Sequence, residues 1–274
     1  MLSYQHQYHA GNHADVLKHW LLLECALYLQ KKDKPFEYID THSGAGYYDI
    51  NSAEAQKTGE IFSGVLKLNW SDFPELRHYQ QAVADDLRNK AYPGSPMLIK
   101  RLLRPQDKAW LFELHPQTFR LLKKHCESRQ QCYVKPENGF EGLISLLPSK
   151  SRRALVLIDP SYEIKSDYQT VVDVMAKAYK KMPNTMLAVW YPVVNRQTIT
   201  RMENAIQSTQ MRNVQLFEMG VRDDELPGMG ASGMIIVNPP WNLADTFSAV
   251  VPRLSAALSE DQNHHWRFRQ LVEE

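Results

Sequence analysis

The chain has 274 residues, of which 43% are hydrophobic, so it can form a substantial core in one large domain or in two. Its net charge of +1 excludes a protein that is basic over its whole surface, and any nucleic-acid-binding surface must therefore be local. Without a run of roughly 18 apolar residues or a signal-peptide pattern at its start, we expect it to be cytoplasmic and free of membrane contact.

The N-terminal segment is rich in histidine, and a metal site is one interpretation of it. His9 and His13 are four residues apart and Asp15 follows, as in some metal-binding helices. However, Gly11 would break a helix that carried both histidines, and no acid has the spacing of a known zinc motif. We therefore expect no metal and predict a helix that begins after Asn12, which caps it. Its buried stripe would consist of Val16, Leu17, Trp20, Leu21, Leu23 and Leu27, with Lys18 and His19 in its first two turns.

A short strand leads into a glycine loop at residues 36–46. The strand ends at Asp40, and His42, Gly44 and Gly46 follow at every second position. Because glycine has no Cβ, the backbone of such a loop can pass close to a bound nucleoside. The third glycine of a dinucleotide-binding motif is missing, which favours an adenosyl ligand over a pyrophosphate. The alternative is an ordinary turn between a strand and a helix.

Residues from about 48 to 91 interrupt the alternation of strands and helices, and they are polar and poor in glycine. We interpret them as a helical insertion in a single domain that spans residues 1–274. After a rigid turn at residues 92–96, Ser95 is predicted to cap a helix at residues 97–104. The alternation then resumes with strands at 109–113, 132–134 and 154–158 and helices at 116–126 and 140–147.

Two acids follow strands of this series. The strand at residues 154–158 is apolar throughout, which is typical of a strand buried on both faces of a parallel sheet, and Asp159-Pro160-Ser161-Tyr162 follows it. Glu113 ends an earlier strand, where an acid can accept hydrogen bonds from two ribose hydroxyls. Open α/β sheets bind ligands at the carboxyl ends of their strands, so both acids are candidates for function. An ordinary Asp-Pro turn is the alternative for Asp159.

The rest of the chain continues the pattern and ends in a hairpin. Asn238 opens a motif, Asn238-Pro-Pro-Trp241, that resembles the one at Asp159. The strand before it is expected to run against the others, which would carry this motif to the edge of the sheet opposite Glu113. A final helix at residues 243–258 is expected to be kinked or broken at Pro252. The other predicted elements are helices at 167–181 and 196–209, a strand at 186–190, and the hairpin strands at 214–219 and 234–238.

The cysteines and the basic residues show no strong pattern. Cys25, Cys126 and Cys132 lack the spacing of a metal-binding motif, and we expect free thiols in a reducing compartment. Each short basic cluster is more typical of a solvated helix face or loop than of a nucleic-acid-binding patch. The clusters are Arg101 with Arg104 and Lys108, Lys123 with Lys124, Lys150 with Arg152 and Arg153, and Lys177 with Lys180 and Lys181.

Five separated motifs together resemble the bacterial RlmJ-type 23S ribosomal RNA adenine-N6 methyltransferases. They are His9-Ala-Gly-Asn-His-Ala-Asp-Val-Leu-Lys-His19, Asp40-Thr-His-Ser-Gly-Ala-Gly46, Tyr92-Pro-Gly-Ser-Pro96, Asp159-Pro-Ser-Tyr162 and Trp190-Tyr-Pro-Val193. The resemblance implies a class I S-adenosylmethionine-dependent methyltransferase fold. This is a Rossmann-like α/β fold with a mostly parallel seven-stranded sheet, a terminal antiparallel hairpin and a small helical insertion. It also implies a target adenine in 23S RNA, adenine 2030 in the family, and we expect a monomer.

The resemblance further implies roles for individual residues. Asp159, Pro160 and Tyr162 would carry the chemistry, and Tyr4 would contact the RNA. The chain departs from the family at Asn138, where the family usually has aspartate, and at Ser161, where a second proline would fix φ. S-adenosylmethionine would be held by Lys18, His19, His42, Gly44, Gly46, Ser95, Glu113, Asn138, Gly139 and Asp159.

The chemistry of adenine explains the need for such residues, because the lone pair of its exocyclic amine is delocalised into the ring. The Asp159 carboxylate and the Pro160 carbonyl can accept the two N–H groups and favour a pyramidal nitrogen. Tyr162 would stack on a base that is unpaired or flipped out. We therefore predict an adenine-N6 RNA methyltransferase. Two alternatives remain: a nucleotide-binding oxidoreductase, which the missing glycine disfavours, and a catalytically impaired RNA-binding relative, which the departures at Asn138 and Ser161 suggest.

Overall fold

The computed structural model describes residues 6–224, 226, 228–259 and 262–274. The strands are β1 (Glu37–Asp40), β2 (Tyr47–Asp49), β3 (Ala91–Pro93), β4 (Lys108–Phe112), β5 (Cys132–Lys135), β6 (Ala154–Ile158), β7 (Met186–Val193), β8 (Val214–Gly220), β9 (Ala231–Val237) and β10 (His265–Val272). The helices are α1 (His13–Gln30), α2 (Ala53–Thr58), α3 (Glu60–Ser63), α4 (Arg77–Arg88), α5 (Ser95–Leu102), α6 (Pro116–Cys126), α7 (Gly139–Leu146), α8 (Asp167–Lys181), α9 (Arg196–Gln207) and α10 (Leu243–Leu258). None of the helices in these ranges combines the length and the apolar composition that crossing a membrane requires.

Eight strands form one sheet in the order β10-β8-β9-β7-β6-β1-β4-β5. Strands β5, β4, β1, β6 and β7 are parallel, whereas β9 lies antiparallel between β7 and β8. The predicted α/β fold, with its mostly parallel sheet and terminal antiparallel hairpin, is therefore confirmed. The sheet has eight strands, not seven, because His265–Val272 adds the antiparallel edge strand β10 beside β8.

The two faces of the sheet are covered by different helices. In β6, Leu155 and Leu157 pack into the cluster that contains α1, α5, α6 and α10, whereas Val156 and Ile158 pack into the cluster with α7, α8 and α9. Side chains of a strand point alternately to its two faces, so burial of every residue of β6 requires helices on both sides. This explains why the strand is apolar without interruption.

Helix α1 begins where the sequence predicts. The side chain of Asn12 accepts a hydrogen bond from the backbone N–H of Asp15 at 3.0 Å, and Asn12 is the N-cap. Every residue from 14 to 23 is buried, because the helix contacts β9, α4, α5 and α10 around its circumference. Lys18 and His19 are therefore held inside the protein and not in bulk solvent.

The predicted cap of α5 was wrong, and of the two outcomes expected for α10, a kink or a break, the break is excluded. Helix α5 begins at Ser95 with Gly94 as its N-cap, and the Ser95 hydroxyl donates to Asp40 Oδ2 at 2.8 Å instead of capping the helix. Helix α10 is not broken, since it continues through Pro252 to Leu258. In each case a tertiary contact outweighs the local preference: a buried carboxylate accepts from Ser95, and the apolar side chains of α10 are buried on both sides of Pro252.

The chain between β2 and β3 is helical, and it reaches back to the N-terminal segment. Strands β2 and β3 pair antiparallel at its base. A Cβ on Gly64 would lie 2.1 Å from the Gly11 carbonyl oxygen, so the two backbones are in direct contact, and Val65 N donates to that carbonyl at 2.8 Å. Glu60 accepts from Asn12 at 2.9 Å and lies 2.8 Å from His9.

Candidate active site

A cavity of about 420 Å³ lies at the carboxyl ends of β1, β4 and β6. The strand order reverses at β1, with β4 on one side and β6 on the other, and such a crevice is the usual ligand site of open α/β sheets. Eight of the predicted site residues line the cavity. They are Lys18, His19, His42, Gly44, Ser95, Glu113, Gly139 and Asp159.

Four other predicted residues lie next to the cavity without lining it. Gly46 packs against α6, since a Cβ there would lie 2.9 Å from Cys126 Sγ. Asn138 caps α7, and its Oδ1 accepts from the backbone N–H groups of Phe140 and Glu141. Pro160 is buried and Tyr162 is partly buried, and both belong to the loop that follows β6. Tyr4 lies outside the described residues.

Glu113 joins the loops after β1 and β4. Its Oε2 accepts from Gly44 N at 3.1 Å and its Oε1 accepts from His115 N at 2.7 Å. Burial raises the pKa of the Glu113 carboxyl, although these two hydrogen bonds oppose the shift. The acid therefore stands at the rim of the cavity where the sequence predicts it.

Two glycines let backbone segments approach closely beside the cavity. Gly44 has φ +62°, and a Cβ there would lie 2.4 Å from the Tyr48 hydroxyl. A Cβ on Gly139 would lie 2.0 Å from the carbonyl oxygen of Thr41. Any other residue at Gly139 would push α7 away from the loop after β1 and would deform the cavity.

A second buried acid lies behind the cavity. Asp40 Oδ2 accepts from the Tyr38 hydroxyl at 2.7 Å and from the Ser95 hydroxyl at 2.8 Å. Burial raises the pKa of Asp40 to about 6, against the opposing effect of these hydrogen bonds. Ionised Asp40 thus orients Ser95, which lines the cavity.

Lys18 lies between two carboxylates. Its ammonium donates to Asp159 Oδ2 at 2.8 Å and lies 2.8 Å from Asp15 Oδ1. It also lies 5.6 Å from the centroid of the Trp190 ring. Burial lowers the pKa of Lys18, but Asp15 and Asp159 outweigh this and hold it well above the usual range. Lys18 is therefore a permanent cation that orients Asp159.

Two of the histidines that line the cavity, His19 and His42, are neutral at physiological pH. Burial lowers the pKa of His19 to about 3 and that of His42 to about 4. His19 Nδ1 lies 2.7 Å from the Tyr92 hydroxyl, and within the described residues its buried Nε2 has no hydrogen-bond partner. His42 contacts the Thr41 hydroxyl and the edge of Phe140.

The loop after β6 has an unusual backbone. Tyr162 has φ +52°, a left-handed conformation that costs a bulky residue roughly 1–3 kcal/mol and is most often found at functional sites. Its hydroxyl donates to the Trp190 carbonyl at 2.7 Å, and its ring packs 4.5 Å from that of Tyr168. These contacts fix the loop that carries Asp159.

The competing motif at Asn238 lies at the other edge of the sheet. Strand β9 runs antiparallel to β7, and the Asn238 amide donates to the carbonyls of Pro183 and Thr185, just before β7 begins. Asp159 follows the carboxyl end of β6, beside the other end of β7. The predicted separation of the two motifs is therefore confirmed.

The N-terminal histidines do not converge. His9 lies against Glu60, and His6 Nε2 lies 3.0 Å from Asp15 Oδ2. His13 is buried, and burial lowers its pKa to about 4. Across the described ranges, no group of three potential metal-ligating side chains is found.

Sequence reasoning missed two parts of the site. It considered Asp15 only in the metal-site interpretation and gave His6 no individual role, although His6 lines the cavity. The spacing of Asp15 and Lys18, three residues apart on a helix, was the available signal, because such residues are neighbours on one face. The loop after β4, with Leu114, and the first turns of α6 as far as Leu121 also contribute to the lining.

Comparison with known proteins identifies the family of the chain. A family model described as "RsmJ: Ribosomal RNA large subunit methyltransferase D, RlmJ" matches residues 33–272. Proteins named "Ribosomal RNA large subunit methyltransferase J" from Escherichia coli and Haemophilus influenzae are 43% and 41% identical, and each alignment covers 100% of both chains. A crystal structure of a protein from Legionella pneumophila is 31% identical, with a TM-score of 0.87 over 96% of this chain and 98% of that one. The chain therefore has the class I methyltransferase fold and belongs to the RlmJ family of methyltransferases, as its motifs predict.

Proposed function

We propose that this protein transfers a methyl group from S-adenosylmethionine to the N6 amine of an adenine in 23S ribosomal RNA, the family's adenine 2030. The names of the full-length relatives support ribosomal RNA of the large subunit as the substrate. One observation carries the proposal: Asp159 of the Asp-Pro-Ser-Tyr motif lines the same cavity as Glu113 and His42.

The cavity fits S-adenosylmethionine. Its volume of about 420 Å³ lies in the range of roughly 300–1,000 Å³ that is usual for small-molecule sites. Glu113 offers carboxylate oxygens for the ribose hydroxyls, and the buried Nε2 of His19 has no hydrogen-bond partner among the described residues. Gly44 and Gly139 line the cavity, so backbone and not a side chain would face the ligand at these two positions. When bound, the cofactor supplies an electrophilic methyl group.

Asp159 would bind the amine that is methylated. Lys18 holds its Oδ2, and none of the described residues hydrogen bonds to its Oδ1, which remains for an N–H group of adenine. The Pro160 carbonyl would accept the second N–H. Together these acceptors favour a pyramidal nitrogen whose lone pair points towards the methyl group. The proton released afterwards can pass to the carboxylate and then to solvent.

The base would have to leave its helix to reach this site. Tyr162 is held by the Trp190 carbonyl, and its ring would stack on the adenine, which contributes about 1–3 kcal/mol for a base on an aromatic side chain. Because a paired base cannot reach a cavity of this kind, the target is unpaired or flipped out. Tyr4 would contact the RNA, and we propose that the protein acts as a monomer without a metal ion.

A catalytically impaired RNA-binding relative is the second candidate. The observation that favours it is that Oδ1 of Asn138, which replaces the family's aspartate, is already used to cap α7. The deciding experiment is methyl transfer from labelled S-adenosylmethionine to 23S RNA that lacks the modification, followed by nucleoside mass spectrometry. We expect N6-methyladenosine. No incorporation under conditions where S-adenosylmethionine binds would favour the impaired relative, and label on another base would contradict the adenine assignment.

A further inference from the structure

Asp15 is a buried acid that the function proposed above does not use. It is 1% exposed, and its carboxylate lies close to four groups. Oδ1 lies 2.8 Å from Lys18 Nζ and 3.8 Å from His19 Nε2. Oδ2 accepts from the backbone N–H of Gly11 at 2.8 Å and lies 3.0 Å from His6 Nε2.

A role in starting the helix explains only half of this arrangement. Asp15 is the third residue of α1, and an acid at this position often reaches back to a free backbone N–H group. Oδ2 does so at Gly11. Oδ1 points in the opposite direction, along the helix to Lys18, and the helix start does not require this contact.

Lys18 is the link between Asp15 and the substrate side of the cavity. It is 4% exposed, and its ammonium spans the two carboxylates of Asp15 and Asp159. A buried ammonium is stable only with charged or polar partners. If Asp159 were its only partner, the Lys18 ammonium could rotate about a single contact or lose its proton.

We propose that Asp15 is a positioning residue of the methyl transfer reaction, which fixes the Lys18 ammonium so that Asp159 keeps one orientation towards the substrate amine. This inference rests on the function proposed above. Asp15 acts through Lys18 and touches neither substrate nor cofactor. Asp15 Oδ2 also connects the array of Asp15, Lys18 and Asp159 to the N-terminal segment, through its contacts with His6 and Gly11.

Loss of the Asp15 charge has a defined electrostatic effect. Burial lowers the pKa of Lys18, and Asp15 is the largest opposing influence, ahead of Asp159. Without Asp15, the pKa of Lys18 falls, and its protonated state is lost at a lower pH. The titratable groups that face this ammonium are Asp15 and His19 on α1, His6 beside Asp15, Tyr48 on β2, Tyr79 on α4 and Asp159 after β6.

The test is Asp15→Asn, assayed by single-turnover methyl transfer across pH. Misplacement of a reacting group can cost about 100-fold in rate, and we expect kcat to fall by about 10- to 100-fold while KM for S-adenosylmethionine stays within about threefold. The alkaline limb of the profile should move to lower pH, and Asp15→Glu should restore it. Added to Lys18→Met, Asp15→Asn should cause no further loss, since both act through one contact.

Glu60→Gln is the matched control, because Glu60 holds the N-terminal segment at His9 and Asn12 without contacting Lys18. It should leave the alkaline limb in place. If it shifts the limb as much as Asp15→Asn does, Asp15 only anchors the segment and the proposal is wrong. An unchanged kcat and pH profile in Asp15→Asn, or a further loss in the Lys18→Met background, would equally overturn it.

NMR keeps this test independent of the proposed function and of the variant's folding. In the wild-type chain with ¹⁵N-lysine and ¹³C-carboxyl aspartate, the Asp15 carboxyl signal should shift when the Lys18 ammonium loses its proton at high pH, and the Lys18 signal should shift when Asp15 is protonated at low pH. If neither signal senses the other group, Asp15 has no such role even if methyl transfer is found. Mutual responses in a protein that does not methylate RNA would instead show that the proposed function has failed.

Discussion

Lys18 Nζ and Asp159 Oδ2 lie 2.8 Å apart, although the two residues are 141 positions apart in the chain. This contact joins the first helix to the loop after β6, and none of the described residues hydrogen bonds to the other carboxylate oxygen of Asp159, which lines the cavity. A carboxylate held at one oxygen by a cation keeps its orientation. A fixed orientation is needed to accept hydrogen bonds from an amine.

Asp159→Ala should slow methyl transfer by at least about a hundredfold, because hydrogen-bonding and acid–base groups contribute roughly 10²–10⁴ in rate. Binding of S-adenosylmethionine should persist. Since this change leaves Lys18 with Asp15 alone, Asp159→Asn, which keeps the side-chain volume, serves as a second variant. Single-turnover assays on folded protein, with calorimetry of the cofactor, provide the measurement.

Asn238→Ala is the matched comparison, since it alters the similar motif at the opposite edge of the sheet. The Asn238 amide donates to two carbonyls, and its backbone has φ +54°. Loss of these contacts and of a residue that tolerates φ > 0 should lower the free energy of unfolding by about 1–3 kcal/mol. The rate of methyl transfer should stay unchanged. A slow Asn238→Ala and a fast Asp159→Ala would reverse the assignment.

Glu113→Gln should weaken binding of S-adenosylmethionine by about 10- to 100-fold, the effect of losing charge-assisted hydrogen bonds to the ribose. The fold should tolerate it, because glutamine can still accept from Gly44 N or His115 N. Burial raises the pKa of Glu113, so protonation should weaken wild-type binding at a higher pH than for an exposed glutamate. Calorimetry at several pH values checks both points. Glu141→Gln, on the exposed surface of α7, is the control. If Glu113→Gln binds S-adenosylmethionine as tightly as the wild type does, Glu113 does not hold the cofactor.

Local patterns were sufficient to predict the elements that carry the site. The continuous apolar run of β6 and the acid that follows it place Asp159 correctly, because a strand buried on both faces has few alternatives. Glu113 follows from the same rule applied to β4. Contacts between distant segments were not predictable in this way: Ser95 donates to Asp40, and Lys18 binds Asp159, only because the fold brings them together.

Strand β10 shows a different reason for failure. Its sequence alternates apolar Trp266 and Phe268 with basic Arg267 and Arg269, which is a strand pattern. No strand was predicted in the chain that follows the last helix. The arginines contact buried Glu203 and Glu218, and charges of this kind suggest an exposed segment when the sequence is read alone. Because these charges are buried only through pairs that form in the folded protein, the eighth strand was not predicted from the sequence.

Glu60→Gln should destabilise the protein more at about pH 5.5 than at about pH 9. The hydrogen bond to Glu60 raises the pKa of His9 above 6.5. A raised histidine pKa adds stability below the unfolded value of about 6.5, and this stability is lost as the pH rises through the raised value. Thermal denaturation at both pH values measures the difference. Glu127→Gln is the control, because Glu127 faces Lys123 and lysine keeps its charge over this pH range, so this variant should show no such dependence. Equal effects of Glu60→Gln at both pH values would exclude the His9 contact as the cause.

Asp40→Asn should flatten the dependence of stability on pH between about 4 and 6. Burial raises the pKa of Asp40 from 3.8 to about 6, so in this interval the folded protein binds a proton that the unfolded chain has released. The wild-type free energy of unfolding must therefore decrease as the pH rises through the interval, and ionised Asp40 lowers stability at neutral pH. Asparagine does not titrate, and this contribution disappears in the variant. Denaturant unfolding at pH 4, 5, 6 and 7 would measure it, with Asp173→Asn on the exposed face of α8 as the control. A slope in Asp40→Asn as steep as in wild type would mean that Asp40 stays ionised throughout and that its hydrogen bonds from Tyr38 and Ser95 outweigh its burial.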